Sequence, residues 1–237
     1  MTRFWLLALL IFLSLSPTRS IAQPGRGYPE LAAKLRAEVR DFDNHGEPLI
    51  STLMRIAAEN QLPMGIERIV KDALEKPVHV QLSRGTVSAL LDSCVRQFPG
   101  YAWTVRNGAV NVYGEEHKWP ANIFNEVIPL FEVQDQSAGM IQLQLARTLI
   151  VQALKPKGIA GSFRHPMTQD KKLLSFRERN ATVRRILNRV VTLHGGAIWI
   201  ARVPPKWLSN RPGDDSFEIL PVSERNIRAH MLLLQGW

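Results

Sequence analysis

The chain has 237 residues, 45% hydrophobic and 22% charged, with 15 Gly, 15 Pro and one Cys. That composition excludes a disordered tail, a collagen-like fibre, a disulfide scaffold and a Cys-rich zinc protein. Thirty Lys and Arg against 21 Asp and Glu leave a net charge of +9, so the chain's partners are expected to be anionic.

Residues 1–22 read as a secretory signal. Arg3 supplies the positive start, Phe4 to Leu15 is almost wholly apolar, and Ser20-Ile21-Ala22 is a small-x-small cleavage site. The apolar run is shorter than the ~20 residues a spanning helix needs, and no later stretch is long enough to span. The signal takes Arg3 and Arg19 with it, leaving 28 basic against 21 acidic residues from Gln23 onward, or +7. An exported basic chain meets lipid headgroups, cell-wall polymers and acidic proteins rather than nucleic acid. Cys94 has no partner for an internal disulfide, and its setting, Leu90-Leu91-Asp92-Ser93-Cys94-Val95, suits a buried small residue on a helix.

In chain order, residues 28–43 form a charged leading helix, which with a linker fills 23–47. Leu49 to Asn60 is a helix and Met64 to Ile69 a strand. Val78 to Leu82 alternates with period two and is read as the next strand. Thr86 is placed to cap a helix whose apolar stripe is Val87, Leu90, Leu91 and Val95. Tyr101 to Arg106, Asn107-Gly108 and Ala109 to Tyr113 form a hairpin. After a linker at 114–126, Val127 to Val133 is a strand, Ala138 to Leu154 a long helix, and Leu173 to Arg177 a strand. Thr182 to Leu193 is a second capped helix and Ala197 to Arg202 the last strand, stopped by Pro204-Pro205. The tail, 204–237, is polar and turn-rich until Met231-Leu232-Leu233-Leu234.

The chain also repeats itself. Thr86 to Val95 recurs, offset by 96 residues without a gap, as Thr182 to Val191; Gly100 and Trp103 recur as Gly196 and Trp199, and Val78 and Val80 face Leu174 and Phe176. The expected fold is therefore α+β, two small helix-on-short-sheet units in tandem at 48–113 and 127–203.

Leu53-Met54-Arg55-Ile56-Ala57-Ala58-Glu59-Asn60, Leu62-Pro63-Met64-Gly65-Ile66-Glu67 and Thr86-Val87-Ser88-Ala89-Leu90-Leu91-Asp92 resemble the secretin and TonB-receptor short N-terminal (STN) domain. The likeness covers 48–113, and more weakly 127–203. It implies a periplasmic, non-enzymatic docking module. The chain departs from that pattern at Gln97-Phe98-Pro99-Gly100-Tyr101, and no barrel or secretin core follows, so a free-standing envelope protein is expected rather than a receptor or pore.

Other constellations read as structural. Asp41-Phe42-Asp43-Asn44-His45-Gly46 opens like a calcium loop, but the twelfth position is Thr52 instead of a bidentate Glu. Cys94 matches Val190 in the repeat, which argues for packing over nucleophilic chemistry. His194-Gly195-Gly196 lacks a Gly-x-Ser-x-Gly elbow to accompany it, and Gly195 is placed to end a helix. Asn180-Ala181-Thr182 formally matches a glycosylation acceptor, but Thr182 is needed as the helix cap. The six histidines show no metal spacing, and no cofactor is expected. Trp103 and Trp199 are expected in cores, whereas Trp119, Trp207 and Trp237 lie in linkers or at the terminus.

The strongest lead is charge. Between Lys155 and Arg189 ten basic residues face two acidic ones, or +8 in 35 residues. Arg177, Arg179, Arg184, Arg185 and Arg189 are the candidate partner-binding residues. Arg185 and Arg189 lie one helical turn apart, where like charges repel. The preferred reading is an exported, non-enzymatic module docking an acidic envelope partner. An envelope hydrolase acting on a cell-wall polymer, its site built from dispersed acids, is the alternative.

Overall fold

The structure is a computed structural model; it describes residues 28–68, 76–114, 122–149, 151–152, 171–202 and 216–221. The signal segment, Trp119, Trp207, Trp237, Pro204-Pro205, Lys155, Lys157, Arg164 and the Met231–Leu234 run lie outside the described residues. The fold is α+β, as expected.

The chain opens with α1 (Pro29–Arg36), begun by a proline that needs no hydrogen-bond partner there. The leading helix stops at this point. Ala37 leaves the helical region with ψ 140°, and Glu38–Asp43 forms strand β1. Only Leu31 and Leu35 of α1 bury themselves, so the helical pattern has no apolar residue to carry it through 37–41. After β1, Asn44 is 1% exposed and acts as a connector. Its amide donates to Thr52 Oγ1 (3.2 Å) and to the Val78 carbonyl, and its Oδ1 accepts from Val80 N (2.9 Å). The calcium-like sequence is thus the end of a strand and a buried junction.

Helix α2 (Leu49–Glu59) and strand β2 (Met64–Arg68) follow as expected. The next strand, β3 (Gln81–Thr86), begins three residues later than the period-two alternation suggests. Val78 and Val80 are buried at 0% and 2%, but Val78 N donates to Glu47 O instead of joining a ladder, and the paired segment is the polar one beyond it. Thr86 caps α3 (Val87–Arg96), its Oγ1 accepting from Ala89 N at 3.2 Å. Strands β4 (Ala102–Arg106) and β5 (Ala109–Tyr113) are joined through Asn107 (φ 51°) and Gly108 (φ 80°), the paired positive φ angles of a type I′ turn.

A single 3₁₀ turn (Ile123–Asn125) leads into β6 (Val127–Ser137), which runs four residues beyond its expected end, and then α4 (Ala138–Leu149). Strand β7 (Leu173–Thr182) is likewise longer than expected and pairs antiparallel with β6 along most of both strands. Helix α5 (Val183–His194) is capped by Thr182, whose Oγ1 accepts from Arg185 N at 3.2 Å, and ends at Gly195 with φ 76°. Strand β8 (Ala197–Arg202) matches its expectation residue for residue. The tail departs from its polar, turn-rich reading: Ser216–Pro221 forms β9, antiparallel to β8.

Three sheets result. β1 pairs with β3, β6 with β7, and a five-stranded sheet has the order β4-β5-β2-β8-β9. Its centre is long-range: β2 runs parallel to both β5 and β8, so strands from before residue 114 and after residue 196 share one sheet. Alternation sends Met64, Ile66, Val110, Val112, Ile198 and Ile200 into one core with α1, α2 and α3. Ala109, Ala197, Trp199, Ala201 and Ile219 point into a second core with α4, α5, β6 and β7. Gly65 lies opposite Trp199 in register, and a Cβ there would stand 2.2 Å from the indole. The glycine is what lets the Trp199 ring, 0% exposed, lie across β2. Trp199 Nε1 donates to Asn188 Oδ1 at 2.8 Å; 96 residues earlier, Trp103 Nε1 donates to Asp92 Oδ1 at 2.7 Å.

Candidate docking surface

The five candidate arginines do not form one face. Strand alternation along β7 turns Leu174 and Phe176 inward and leaves Leu173, Ser175, Arg177 and Arg179 exposed on the other side. Arg177 lies opposite Glu132 of β6, with Nε 3.4 Å from its carboxylate. Arg179 lies opposite Leu130, which is 45% exposed. At Asn180, φ 47° breaks the alternation, so that Ala181 is buried although Arg179, two residues before it, is exposed.

Glu178 points to the helix side instead. Its carboxylate is 12% exposed and meets Arg185 Nη2 at 3.0 Å and Arg189 Nε at 3.9 Å. The expected repulsion between these two helix arginines is therefore offset inside the chain by one acid from β7. Two positive charges sharing one negative still leave a cationic patch at the edge of α5.

Arg184 does not belong to the surface. Its side chain is 9% exposed, its Nε reaches Glu67 Oε1 at 2.5 Å, and its Nη1 donates to Asn125 Oδ1. Glu67, 1% exposed, sits on β2, so the pair joins α5 to the centre of the shared sheet across 117 residues of sequence. The helical stripe of α5 explains the difference: Val183, Ile186, Leu187 and Val190 are buried, and Arg184 falls beside them while Arg185 and Arg189 fall outside. A run of arginines carries no sign of which one meets a buried acid, so sequence groups Arg184 with its neighbours; Glu67, inside the apolar strand Met64–Arg68, is the available signal.

Sequence reasoning does not single out Leu130 and Leu173. Leu173, 59% exposed, lies on the same outward face of β7 as Arg177 and Arg179. The outward face of the β6–β7 ribbon thus mixes two exposed leucines with two arginines and one acid. A separate groove of about 290 Å³ runs along α4, lined by Gln136, Met140, Leu143, Gln144, Arg147 and Thr148.

Cys94 is fully buried, and burial pushes its thiol up to about 12, so it stays protonated. Val190, its counterpart at the 96-residue offset, is equally buried. His194 ends α5, where its Nδ1 accepts from Gly196 N at 3.3 Å. Among the described residues no three His, Cys, Asp or Glu side chains are grouped to hold a metal ion, and no helix is long and apolar enough to cross a membrane. The chain matches no family model, no curated protein and no solved structure.

Proposed function

We propose that the chain is an exported, non-enzymatic envelope module, two STN-like units related by duplication, that docks an acidic partner through the outward face of the β6–β7 ribbon and the adjoining edge of α5. One observation carries this reading: Arg177, Arg179, Arg185 and Arg189 are exposed and face only Glu132 and Glu178 across the same ribbon and helix. Arg179 has no acidic partner among the described residues. Leu130 and Leu173 beside the arginines supply apolar area that a purely solvated face would not need. Two sheet strands and a capped helix hold the arginines, so little conformational entropy is lost when a partner binds. The export signal and the STN resemblance supply the periplasmic setting.

The test is capture of partners from the intact envelope by cross-linking and pull-down, comparing wild type with two double reversals. Arg177→Glu with Arg179→Glu changes the ribbon face, and Arg185→Glu with Arg189→Glu changes the helix edge. Arg184 is left untouched, since reversing a buried charge would test folding. A defined acidic envelope protein should be retained by wild type and weakened about ten-fold or more by at least one reversal, the loss shrinking as salt rises. Equal recovery with all three proteins removes the basic surface from the proposal. Retention of a cell-wall polymer that is then cleaved would replace docking with the hydrolase reading.

A further inference from the structure

The shared sheet contains its own template for adding a strand. β8 has two neighbours: its hairpin partner β9 on one edge and the parallel strand β2 on the other. β4 corresponds to β8 at the 96-residue offset, residue for residue from Ala102–Arg106 to Ile198–Arg202. The likeness extends to the contacts: a threonine-capped helix precedes each strand, and its Asp92 or Asn188 accepts from the strand's tryptophan. β4 has its hairpin partner β5 as well. Among the described residues it has no strand on the other edge, the one corresponding to the edge of β8 that receives β2.

The two tryptophans record the difference. Trp199 is fully buried because β2 crosses beside it at Gly65, where any Cβ would strike the ring. Trp103 is only partly buried. Among the described residues nothing corresponds to β2 on its side.

A strand that fits has to bring a glycine to Trp103, between residues that pair with Ala102 and Thr104. The chain contains a second sequence of this kind. Pro63-Met64-Gly65-Ile66, which begins β2, recurs as Pro156-Lys157-Gly158-Ile159, outside the described residues. The strand directions permit a continuing sheet. β4 is antiparallel to β5, while β5, β2 and β8 run together, so β4 and β8 run in opposite directions and their tryptophans enter opposite cores. One half is thus related to the other by a half-turn about an axis across the strands, and a second such step restores the starting orientation. A contact generated this way joins different edges of two molecules and does not close on itself.

We propose that the outer edge of β4 binds a second copy of this chain, which presents Lys157-Gly158-Ile159 as a parallel strand with Gly158 against Trp103, Lys157 beside Ala102 and Ile159 beside Thr104. The proposal rests on the duplicated-unit reading above, and the bond is β-augmentation between copies in a head-to-tail series. Main-chain hydrogen bonds supply the attraction, and the glycine supplies selectivity, because every other residue type carries the Cβ that the ring excludes.

The test is sedimentation of the purified full chain over a wide concentration range, together with disulfide trapping. Wild type should associate with rising concentration. Gly158→Val should weaken that association about ten-fold or more with an unchanged circular dichroism spectrum. A variant carrying Ala102→Cys and Lys157→Cys should give a ladder of covalent oligomers on non-reducing gels, while Ala102→Cys with Ile159→Cys, two residues out of register, should not. The ladder does not depend on Gly158→Val folding well. A wild-type chain that stays monomeric throughout and gives no ladder overturns the proposal. So does a monomeric Ala102→Cys variant that cross-links to a different envelope protein, because the edge then serves another strand. Loss of the ladder with acidic-partner capture intact removes self-association alone; a ladder without partner capture removes the docking reading alone.

Discussion

The Glu67–Arg184 pair is the clearest place to test how the two cores are held together. Arg184→Met removes the cation and leaves Glu67, 1% exposed, with its carboxylate buried and its Oε1 partner gone; Oε2 already lacks a hydrogen-bond partner among the described residues. Breaking one side of a buried pair costs about 3–5 kcal/mol, because the remaining charge keeps its desolvation penalty. For a domain of roughly 200 residues each kcal/mol moves the melting midpoint by about 2–4 °C, so Arg184→Met should lower it by about 10 °C. Glu67→Gln should cost less than Arg184→Met, since the glutamine Oε1 can still accept from Arg184 and Asn125 still accepts from Nη1. The double variant Glu67→Leu with Arg184→Met removes both desolvation penalties and should recover to within about 1 kcal/mol of wild type. Urea unfolding of all four proteins, repeated in high salt, measures the cycle. Salt should change the coupling little, because the pair is screened by protein rather than solvent. A loss below about 1 kcal/mol for Arg184→Met, or strong salt dependence, would refute a buried staple and return Arg184 to the surface set.

Two further outcomes follow from packing. Gly65→Ala places a Cβ 2.2 Å from the Trp199 ring and should destabilise the chain by about 2–4 kcal/mol, seen as a lower urea midpoint and a shifted tryptophan emission; an unchanged midpoint would mean the ring is free to move aside. Cys94 should not react with a thiol reagent at about pH 8 until the chain is unfolded. Its folded thiol is raised by burial from 9.0 to about 12, so the stability due to the neutral thiol is fully present below 9 and is lost as pH rises toward 12. Cys94→Val, which copies Val190 at the offset position, should remove that share of the alkaline sensitivity, read from urea midpoints between about pH 9 and about pH 11.

Local signals were legible where local chemistry decides. Thr86 and Thr182 cap their helices, Asn107-Gly108 makes the turn, Gly195 adopts the left-handed end of α5, and Ala197–Arg202 is a strand over its expected range. Partner-dependent features were not. β9 carries little alternation of its own and becomes a strand because β8 offers an edge. β1 follows a helix with only one residue between them, and five of its six residues escape full burial because it has a single partner, β3. Neither local pattern nor composition indicates that β2 will lie between β5 and β8, since each pairing joins segments more than forty residues apart. For the same reason the arginine cluster was visible as a total, while its division into a ribbon face, a helix edge and a buried pair depended on Glu132, Glu178 and Glu67, each delivered by a different strand.

That division bears on how charge can serve both stability and binding in one segment. A uniformly arginine-rich face would repel itself in the free chain and depend on a partner for relief. Here the acids are graded by depth. Glu67 takes the arginine nearest the core, and Glu178, 12% exposed, holds two arginines that remain half in solvent. Glu132, more than half exposed, makes only a loose contact with Arg177. The deepest pair fixes α5 against the shared sheet, and the shallower pairs hold guanidinium groups in place at little energetic cost. An incoming carboxylate then meets cations already positioned by neighbours whose hold is weak enough to yield. The same sheet that positions them leaves β4 with an open edge among the described residues, so self-association along the sheet would carry the charged ribbon with it and present it repeatedly to an acidic partner. Weak single contacts then gain through multivalency, provided the partner spans successive copies.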